Sequence, residues 1–453
     1  MDLRRSLVEK KLSSRSKSAS KTASKQGSRA NSNYGTDDEY ETDDNMSVMS
    51  IDSNESFNEA NSEQNWEVAF NECIEAIIER KGSSVQSRED LLSKLIKFMS
   101  VRMTARELGN RDRDLVNAIS KILKGARSEK EAVLCAKALA ILYITKPDND
   151  EIYSIADNAL KGSLQSSPYL VAKAACLTSI GCMILIFQSI PPAQAHIEAM
   201  VEIIENDGNT INAQDDSLVV SSAEDSLAVA STLLAGHEPM EDVQLAAPSL
   251  IEQLDSVDPR VRSAAGEALA LLFELTAVDP DDEDALAAYA NNPPVDDVHH
   301  LTKLLADLAT TSSKKQSKLS RREQHHTFRE VLATVSSPTS HSAPAETVRF
   351  GKGSQVLYVT TWLQLTRLNH LRQVLGSGLQ IHLKKNGFVR RILQYDGPAP
   401  PDSDDDSEPE DDLSKDLKNS INQEIRKQRH KDRSSDRKEK SAMSSSFLAE
   451  EDD

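Results

Sequence analysis

Apolar residues recur three and four positions apart along most of the chain, which is the pattern of amphipathic helices. The first stripe runs from Trp66 through Phe70, Cys73 and Ile77, and Gly82 follows it. Strand-like alternation is almost absent before residue 345. The sequence therefore predicts an all-α protein, with further helices near 91–99, 115–123, 132–144, 151–160, 168–187, 194–205, 223–235, 241–254 and 260–278.

Four of these segments place small residues on the face that also carries Leu, Ile and Val. Aligning Ala136, Ala174, Ala228 and Ala264 gives separations of 38, 54 and 36 residues, near the ~40 to 47 residue unit of HEAT and armadillo repeats. We expect an armadillo/HEAT-like helical repeat solenoid, whose long concave surface would bind other macromolecules. An irregular all-helical globule with the same stripes is the alternative.

Charge divides the chain into further regions. Residues 1–65 form a Ser-rich head with 9 basic and 2 acidic residues up to residue 30, then 10 acidic and no basic residues. Few branched apolar residues occur there, so we predict disorder. The helical array is expected over 66–335, a small, mostly helical C-terminal module over 343–396, and a disordered acidic then basic tail over 397–453.

The body itself is strongly dipolar. Residues 201–300 carry 22 acidic residues and only two arginines, a net charge of −20, whereas residues 301–396 carry 15 basic and 5 acidic residues, a net charge of +10. The acidic stretch 279–297 is expected to be a solvated loop, and shielding of the basic module within the same chain is the alternative. The positive block begins with "SKKQSKLSRREQHHTFREVL" at 313–332.

That basic stretch contains a predicted helix start. Ser320 and Glu323 have the spacing of a capping box, and the second half, "TFREVL", has the stripe of a packed helix with Phe328. Arginines in the first turn oppose the helix dipole, whereas backbone N–H groups and cations together suit a phosphate. A nuclear localisation signal and a plain solvated loop are the alternatives. The candidate phosphate, RNA or partner-binding residues here are Lys314, Lys315, Lys318, Arg321 and Arg322.

The tail supplies a second set of candidates. Residues 398–412 hold 8 acidic residues and no basic one, and residues 413–440 hold 10 basic and 5 acidic residues. The basic candidates are Arg426, Lys427, Arg429, Lys431 and Arg433, and residues in acidic surroundings that a kinase could phosphorylate are Thr36, Thr42, Ser403 and Ser407.

Signatures of enzymes and cofactor sites are missing. "GKGS" at 351–354 lacks the spacing of a phosphate-binding loop, and adjacent histidines diverge on a helix, so we predict no catalytic residue, cofactor or metal. The longest apolar run, 176–187, is too short to span a bilayer, and residues 1–30 lack a secretory pattern. The four cysteines lie among apolar helical residues and are expected to be buried thiols.

Three stretches carry a family resemblance. "PRVRSAAGEALALLFEL", the basic 313–332 segment, and "ETVRFG" followed by "LGSGLQIHLKKNGFVR" resemble, in that order, the interferon-related developmental regulator family. The likeness spans roughly 66–396, and the long Ser-rich head and acidic 398–412 linker favour a divergent, fungal branch.

The resemblance implies an armadillo-like array, a C-terminal module and regulation of gene expression without catalysis. It implies partners of two kinds: protein complexes of gene regulation, as for transcriptional co-regulators, or the ribosome or RNA, as for translational regulators. We expect no membrane and no small-molecule substrate as partners, and localisation in nucleus and cytoplasm.

Overall fold

The structure, a computed structural model, describes residues 66–79, 84–147, 149–310, 318–337, 343–350, 355–395 and 397, and most of these are helical. The helices before residue 340 are α1 Trp66–Ile78, α2 Val85–Val101, α3 Ala105–Leu108, α4 Asp112–Lys124, α5 Glu129–Thr145, α6 Asp150–Ser166, α7 Leu170–Phe187, α8 Ile190–Glu205, α9 Ser217–Ser231, α10 Met240–Gln253, α11 Pro259–Leu275, α12 Glu283–Asn291, α13 Val298–Thr310 and α14 Lys318–Val335. After them come β1 Glu346–Arg349, β2 Val356–Val359, α15 Trp362–Leu375, α16 Leu379–Lys385 and α17 Gly387–Ile392.

The helices before residue 340 stack as pairs in two layers. α2, α5, α7, α9, α11 and α14 pack side by side in that order and form what we call the inner layer. α1, α4, α6, α8, α10 and α13 each pack on the inner helix that follows them and form the outer layer. This arrangement confirms the predicted all-α helical repeat array.

The irregular repeat spacing has a local cause. Ala136, Ala174, Ala228 and Ala264 lie in four successive inner helices, as the alignment assumed. The 54-residue step corresponds to the long connection between α8 and α9, which contains a short 3-10 helix, Asn209–Ile211. Its turns need left-handed backbone at several residues, including Gly208 with φ +76°, where a Cβ would lie 2.5 Å from a backbone oxygen.

Side-chain caps fix where many of these helices begin. The Ser128 hydroxyl accepts a hydrogen bond from the backbone N–H of Glu131 at 3.0 Å, and Asp216 accepts one from Val219 at 2.9 Å. Asp258 accepts one from Arg260 at 2.8 Å, with Pro259 at the first helical position. Such caps satisfy N–H groups that have no partner within the helix.

α7 is the central helix of the core. It has 18 residues, whereas the apolar run 176–187, on which the prediction of no membrane segment rested, is shorter. In the described part of the chain it is the one helix whose length and composition would allow it to cross a membrane. Most of it is buried, and it contacts α5, α6 and α9, which is the setting of a core helix. The four cysteines, Cys73, Cys135, Cys176 and Cys182, are buried and free, as predicted.

The prediction of a solvated loop over 279–297 is wrong in part. α12 forms inside it, with the Asp282 side chain accepting a hydrogen bond from the Ala285 N–H at 2.9 Å. This helix has no buried residue, so it leaves no apolar stripe in the sequence. α13 was not predicted either, although its buried residues Leu301, Leu305 and Ala309 have helical spacing.

The C-terminal module combines one hairpin with three helices. β1 and β2 pair antiparallel, with Glu346 opposite Val359 and Arg349 opposite Val356. α15 lies against the inner-layer helices α5, α7, α9 and α11, and α16 packs on α2. The inner-layer surface that a solenoid would offer to partners is therefore covered by the chain's own C-terminal helices, contrary to our expectation of an open binding face. The domain boundary between 335 and 343 stays a prediction.

Candidate functional site

The structure describes only part of the predicted basic segment 313–332. Lys314 and Lys315 lie outside the described residues, and Lys318 and Arg321 lie in α14 but their side chains are not among those described. The Arg322 side chain is exposed. The tail candidates Arg426, Lys427, Arg429, Lys431 and Arg433 and the phosphorylation candidates Thr36, Thr42, Ser403 and Ser407 all lie outside the described residues.

The helix starts earlier than the capping-box pattern indicated. α14 begins at Lys318, so Ser320 is its third residue and the two arginines lie at the end of the first turn and the start of the second. Arg321 therefore lies in the first turn, as predicted, and Arg322 lies one residue beyond it. A phosphate at these arginines would rely on side-chain charge more than on the free N–H groups of the first turn.

α14 has one packed face and one exposed basic face. Gln324, Phe328, Val331 and Val335 are buried at helical spacing, which confirms the packing of the second half. The opposite face exposes Arg322, His326 and Arg329, which we call the basic stripe. Arg329 lies in the stretch "TFREVL", which we predicted to be packed. It follows His326 by three residues, and this helical spacing is the signal that could have placed it on the exposed face.

Glycine at 266 allows α14 to approach the array closely. A Cβ at Gly266 would lie 2.9 Å from Cε1 of the buried Phe328 ring. On the same interface, the Arg262 guanidinium donates to the Gln324 side-chain oxygen at 3.2 Å and to the Ser256 carbonyl oxygen at 2.6 Å. The "AAGEAL" stretch and the basic segment therefore meet at the α11–α14 contact, which holds the basic stripe in place.

Polar contacts fasten α15 to the inner layer. The carboxylate of Glu274, at the end of α11, accepts hydrogen bonds from the backbone N–H groups of Trp362 at 2.7 Å and Leu363 at 2.9 Å. The Trp362 indole N–H donates to the Thr334 hydroxyl at 2.9 Å. A negative group at a helix N-terminus satisfies otherwise free donors and complements the dipole, so Glu274 helps to fix where α15 begins. The Thr361 hydroxyl caps the same end by accepting a hydrogen bond from the Gln364 N–H at 3.2 Å.

Further along α15, two basic side chains are buried and make hydrogen bonds within the protein. Arg367 donates to the Thr232 hydroxyl at 3.0 Å, the Thr232 carbonyl at 2.8 Å and the Ile392 carbonyl at 2.9 Å. His370 lies 2.9 Å from the Thr178 carbonyl. Burial lowers the pKa of Arg367 to about 10 and that of His370 to about 4. Part of the positive charge of 301–396 is thus structural.

The outer layer carries the opposite charge. Exposed glutamates at positions 198, 202 and 205 of α8, and at 241 and 252 of α10, follow helical spacing; we call Glu198, Glu202, Glu205, Glu241 and Glu252 the acidic stripe. α8 and α10 are in contact, with the Gln194 amide donating to Asp242 at 3.0 Å. Leu245, on the exposed face of α10, is 43% exposed, which is high for a leucine.

One contact in the core has the residue types of a nucleophile and its base. His196 Nε2 lies 2.8 Å from the Ser226 hydroxyl, and that hydroxyl donates to the Leu177 carbonyl at 3.0 Å. Because the single hydroxyl proton is used on Leu177, His196 must donate its own N–H to Ser226 rather than accept a proton from it. Both residues are buried, so the pair is a packing contact.

The comparisons with known proteins settle the family. The sequence profile of the interferon-related developmental regulator family matches residues 39–336, which is more than half of the chain. The chain belongs to this family. Its matched range covers the whole helical array and reaches back into the head.

Three relatives give the extent of the similarity. An uncharacterized protein of Schizosaccharomyces pombe is 28% identical over 382 residues, covering 80% of this chain and 83% of its own. Interferon-related developmental regulator 1 of Homo sapiens is 25% identical over 365 residues, covering 78% and 76%. Interferon-related developmental regulator 2 of Mus musculus is 28% identical over 350 residues, covering 75% of each chain. Of these three, the fungal protein matches the largest share of the chain, in line with the expected fungal branch.

Proposed function

We propose that this family member is a non-enzymatic adaptor in the regulation of gene expression, of the transcriptional co-regulator type, and that it binds partner proteins through its outer layer. The observation that supports this proposal is the acidic stripe. Since α15 covers much of the inner layer, partner proteins would contact the outer helices and the ends of the array. Partners held there would present basic side chains around an apolar group that meets Leu245, in protein complexes of the nucleus and cytoplasm.

Charge reversal of the stripe tests the adaptor proposal. We would replace Glu198, Glu202 and Glu205 by Lys in the full-length tagged protein and identify co-purifying proteins by quantitative mass spectrometry. A matched control reverses Glu72 and Glu75, which are exposed on α1. The proposal expects a set of nuclear regulatory proteins to be lost from the α8 variant alone. Equal recovery of all partners from wild type and both variants would contradict it.

A second candidate function rests on the basic stripe. Arg322, His326 and Arg329 share an exposed face, and Lys314, Lys315, Lys318 and Arg321 come just before it in the sequence. Such a cluster suits the phosphates of ribosomal or messenger RNA, with the basic tail as a further contact. The protein would then act as a ribosome- or RNA-associated translational regulator.

Sedimentation in sucrose gradients separates the two candidates. Binding through phosphates weakens by about 0.7 to 0.9 log units of affinity per contact for each log unit of salt. Co-migration with ribosomal particles that is lost at high salt, and lost again when Lys314, Lys315, Lys318, Arg321 and Arg322 are changed to Glu, would support the RNA candidate.

A matched control for that experiment reverses Lys121 and Lys124, exposed residues of α4. It should sediment like wild type. Migration as a small complex in all conditions, with or without nuclease, would contradict the RNA candidate, and the adaptor proposal would be the one that remains.

A further inference from the structure

The helix α15 covers only part of the inner layer. It makes hydrogen bonds with the Thr178 carbonyl in the middle of α7 and with the Glu274 carboxylate near the end of α11. Val171 and Glu267 precede these two residues by seven positions, which is two turns on the same helix face, or about 10 Å along the axis. Val171 is 40% exposed and Glu267 is partly exposed. A strip of the inner layer about one helix diameter wide therefore stays open beside α15.

Accessible side chains follow this strip from one helix to the next. On α5, the partly exposed Lys130, Val133 and Lys137 have helical spacing, and the other sides of this helix pack on α2, α4, α6 and α7. On α7, Ala175 is partly exposed and follows Val171 by one turn. One partly exposed carboxylate on α9 and one on α11 continue the surface. We call this surface the open face, and its residues are Lys130, Val133, Lys137, Val171, Ala175, Asp225 and Glu267.

The α5 end of the open face is basic. Lys130 lies 3.5 Å from the Glu89 carboxylate. Lys137 makes no ion pair within the described part of the chain, and burial lowers its pKa. A half-buried ammonium group without a counter-ion gains more from a carboxylate than a fully solvated one does, because water and salt screen it less. The α5 end therefore favours an acidic ligand.

The α9 and α11 end of the open face is acidic. Gln373 of α15 donates to Asp225 at 3.3 Å, which places Asp225 at the edge of α15. Burial, together with the nearby Asp225, raises the pKa of Glu267 to about 7, and burial raises the pKa of Asp225 to about 6. Arg260 of α11 is paired with Asp258 at 3.0 Å. Within the described ranges neither carboxylate of this end has a cation as its partner, so a basic ligand would stabilise both in the ionised form.

The two charged ends are about one helix length apart. Three steps between neighbouring inner helices lead from α5 to α11. Packed helices lie about 8 to 10 Å apart, so the ends are separated by about 24 to 30 Å. α15 has 14 residues and itself reaches from α11 to α5. A second helix of about this length can therefore lie beside α15 and meet both ends of the open face with its side chains.

We propose that the open face binds one helix of a partner protein, laid beside α15. This helix carries acidic side chains toward α5, basic side chains toward α9 and α11, and an apolar side chain that meets Val171 between them. An RNA is disfavoured here, because the carboxylates of Asp225 and Glu267 would repel its phosphates. The open face shares no residue with the acidic stripe of the outer layer, so this proposal and the proposed function can fail separately.

Peptide selection on the full-length protein tests the docking of such a helix. A phage-displayed library of amphipathic helices with the 14-residue length of α15, randomised at charged and apolar positions, would be selected on wild type and on Val171→Glu. We expect enrichment on wild type alone, of helices with acidic residues toward one end, basic residues toward the other and apolar residues between. Enriched peptides without this charge order would overturn the proposal. So would no enrichment over Val171→Glu, the result expected if the chain's own residues or a second copy fill the open face.

Fluorescence anisotropy with one selected peptide gives the size of the effect. Reversing the charge order of the peptide should weaken its binding to wild type by about tenfold or more, since like charges would then face each other at both ends. The double variant Lys137→Glu, Glu267→Lys should prefer the reversed peptide. Val68→Glu, a matched change of an exposed valine on α1, should bind the selected peptide like wild type.

A photo-crosslinking measurement keeps the test decisive if the double variant does not fold. Benzoylphenylalanine in place of Val171 should crosslink the selected peptide, whereas the same residue in place of Val68 should not. Equal crosslinking at the two positions, or equal binding of the selected and reversed peptides to wild type, would refute the proposal.

Discussion

Removing the carboxylate of Glu274 should weaken the attachment of the C-terminal module more than any other single truncation of an acidic side chain at this interface. In Glu274→Ala, the backbone N–H groups of Trp362 and Leu363, now 2.7 and 2.9 Å from the carboxylate, would lose a charged acceptor in a buried place. Each such loss costs about 1.5 kcal/mol or more, and loss of the helix-dipole interaction adds about 0.3 to 1 kcal/mol. We therefore expect the free energy of unfolding to fall by about 3 to 4 kcal/mol.

Urea unfolding followed by tryptophan fluorescence measures this change. Trp362 is buried at the interface, and a Trp66→Phe background would make it the reporter. Glu274→Gln keeps one carbonyl oxygen and should lose about half as much, whereas the exposed Glu198→Ala should change stability by about 0.5 kcal/mol at most. If Glu274→Ala matched Glu198→Ala, the conclusion that this carboxylate fixes the start of α15 would be refuted.

Three further predictions concern close packing, thiols and pH. Gly181→Ala would place a Cβ 2.6 Å from the Ser226 hydroxyl and should lower the free energy of unfolding by about 1 to 3 kcal/mol, measured by thermal unfolding. Gly162→Ala, whose Cβ would have no atom within 4 Å, should be neutral or stabilising. Equal melting temperatures of the two variants would contradict this prediction. The four buried cysteines should react with a thiol reagent only in urea, because burial raises the pKa of Cys182, for example, to about 12; rapid labelling of the native protein would count against it. Burial lowers the pKa of His370 and His382 from 6.5 to about 4, so the unfolded chain binds these protons more readily. The stability that these two neutral histidines contribute should be complete above about pH 6.5 and should decline as the pH falls toward 4. The urea midpoint of the wild type should therefore fall over that pH range, and it should fall less when both histidines are replaced by Asn.

The sequence predicted the inner helices well because burial there follows a simple period. α5, α7, α9 and α11 have small and branched apolar residues on buried faces, and that pattern is visible without knowing which helix packs on which. The apolar pattern did not predict α12, because all residues of this helix are at least partly exposed and a solvated helix leaves no apolar stripe. It also could not foresee that the C-terminal module covers the inner layer, because the deciding contacts join distant polar residues, such as His370 and Thr178, 192 positions apart.

Net charge per segment was a poorer guide to surface charge than to chain organisation. The +10 of residues 301–396 includes Arg367 and Arg390, which are buried, so the charge available to a phosphate is smaller than the count implies. The acidic side chains of the acidic stripe, in contrast, are exposed and keep their full effect on approaching ions. An RNA would therefore be repelled from α8 and α10 and would meet favourable charge on the exposed face of α14. Protein partners with basic surfaces would have the opposite preference, so the two proposed kinds of partner would approach different faces of the array and neither would need the covered part of the inner layer.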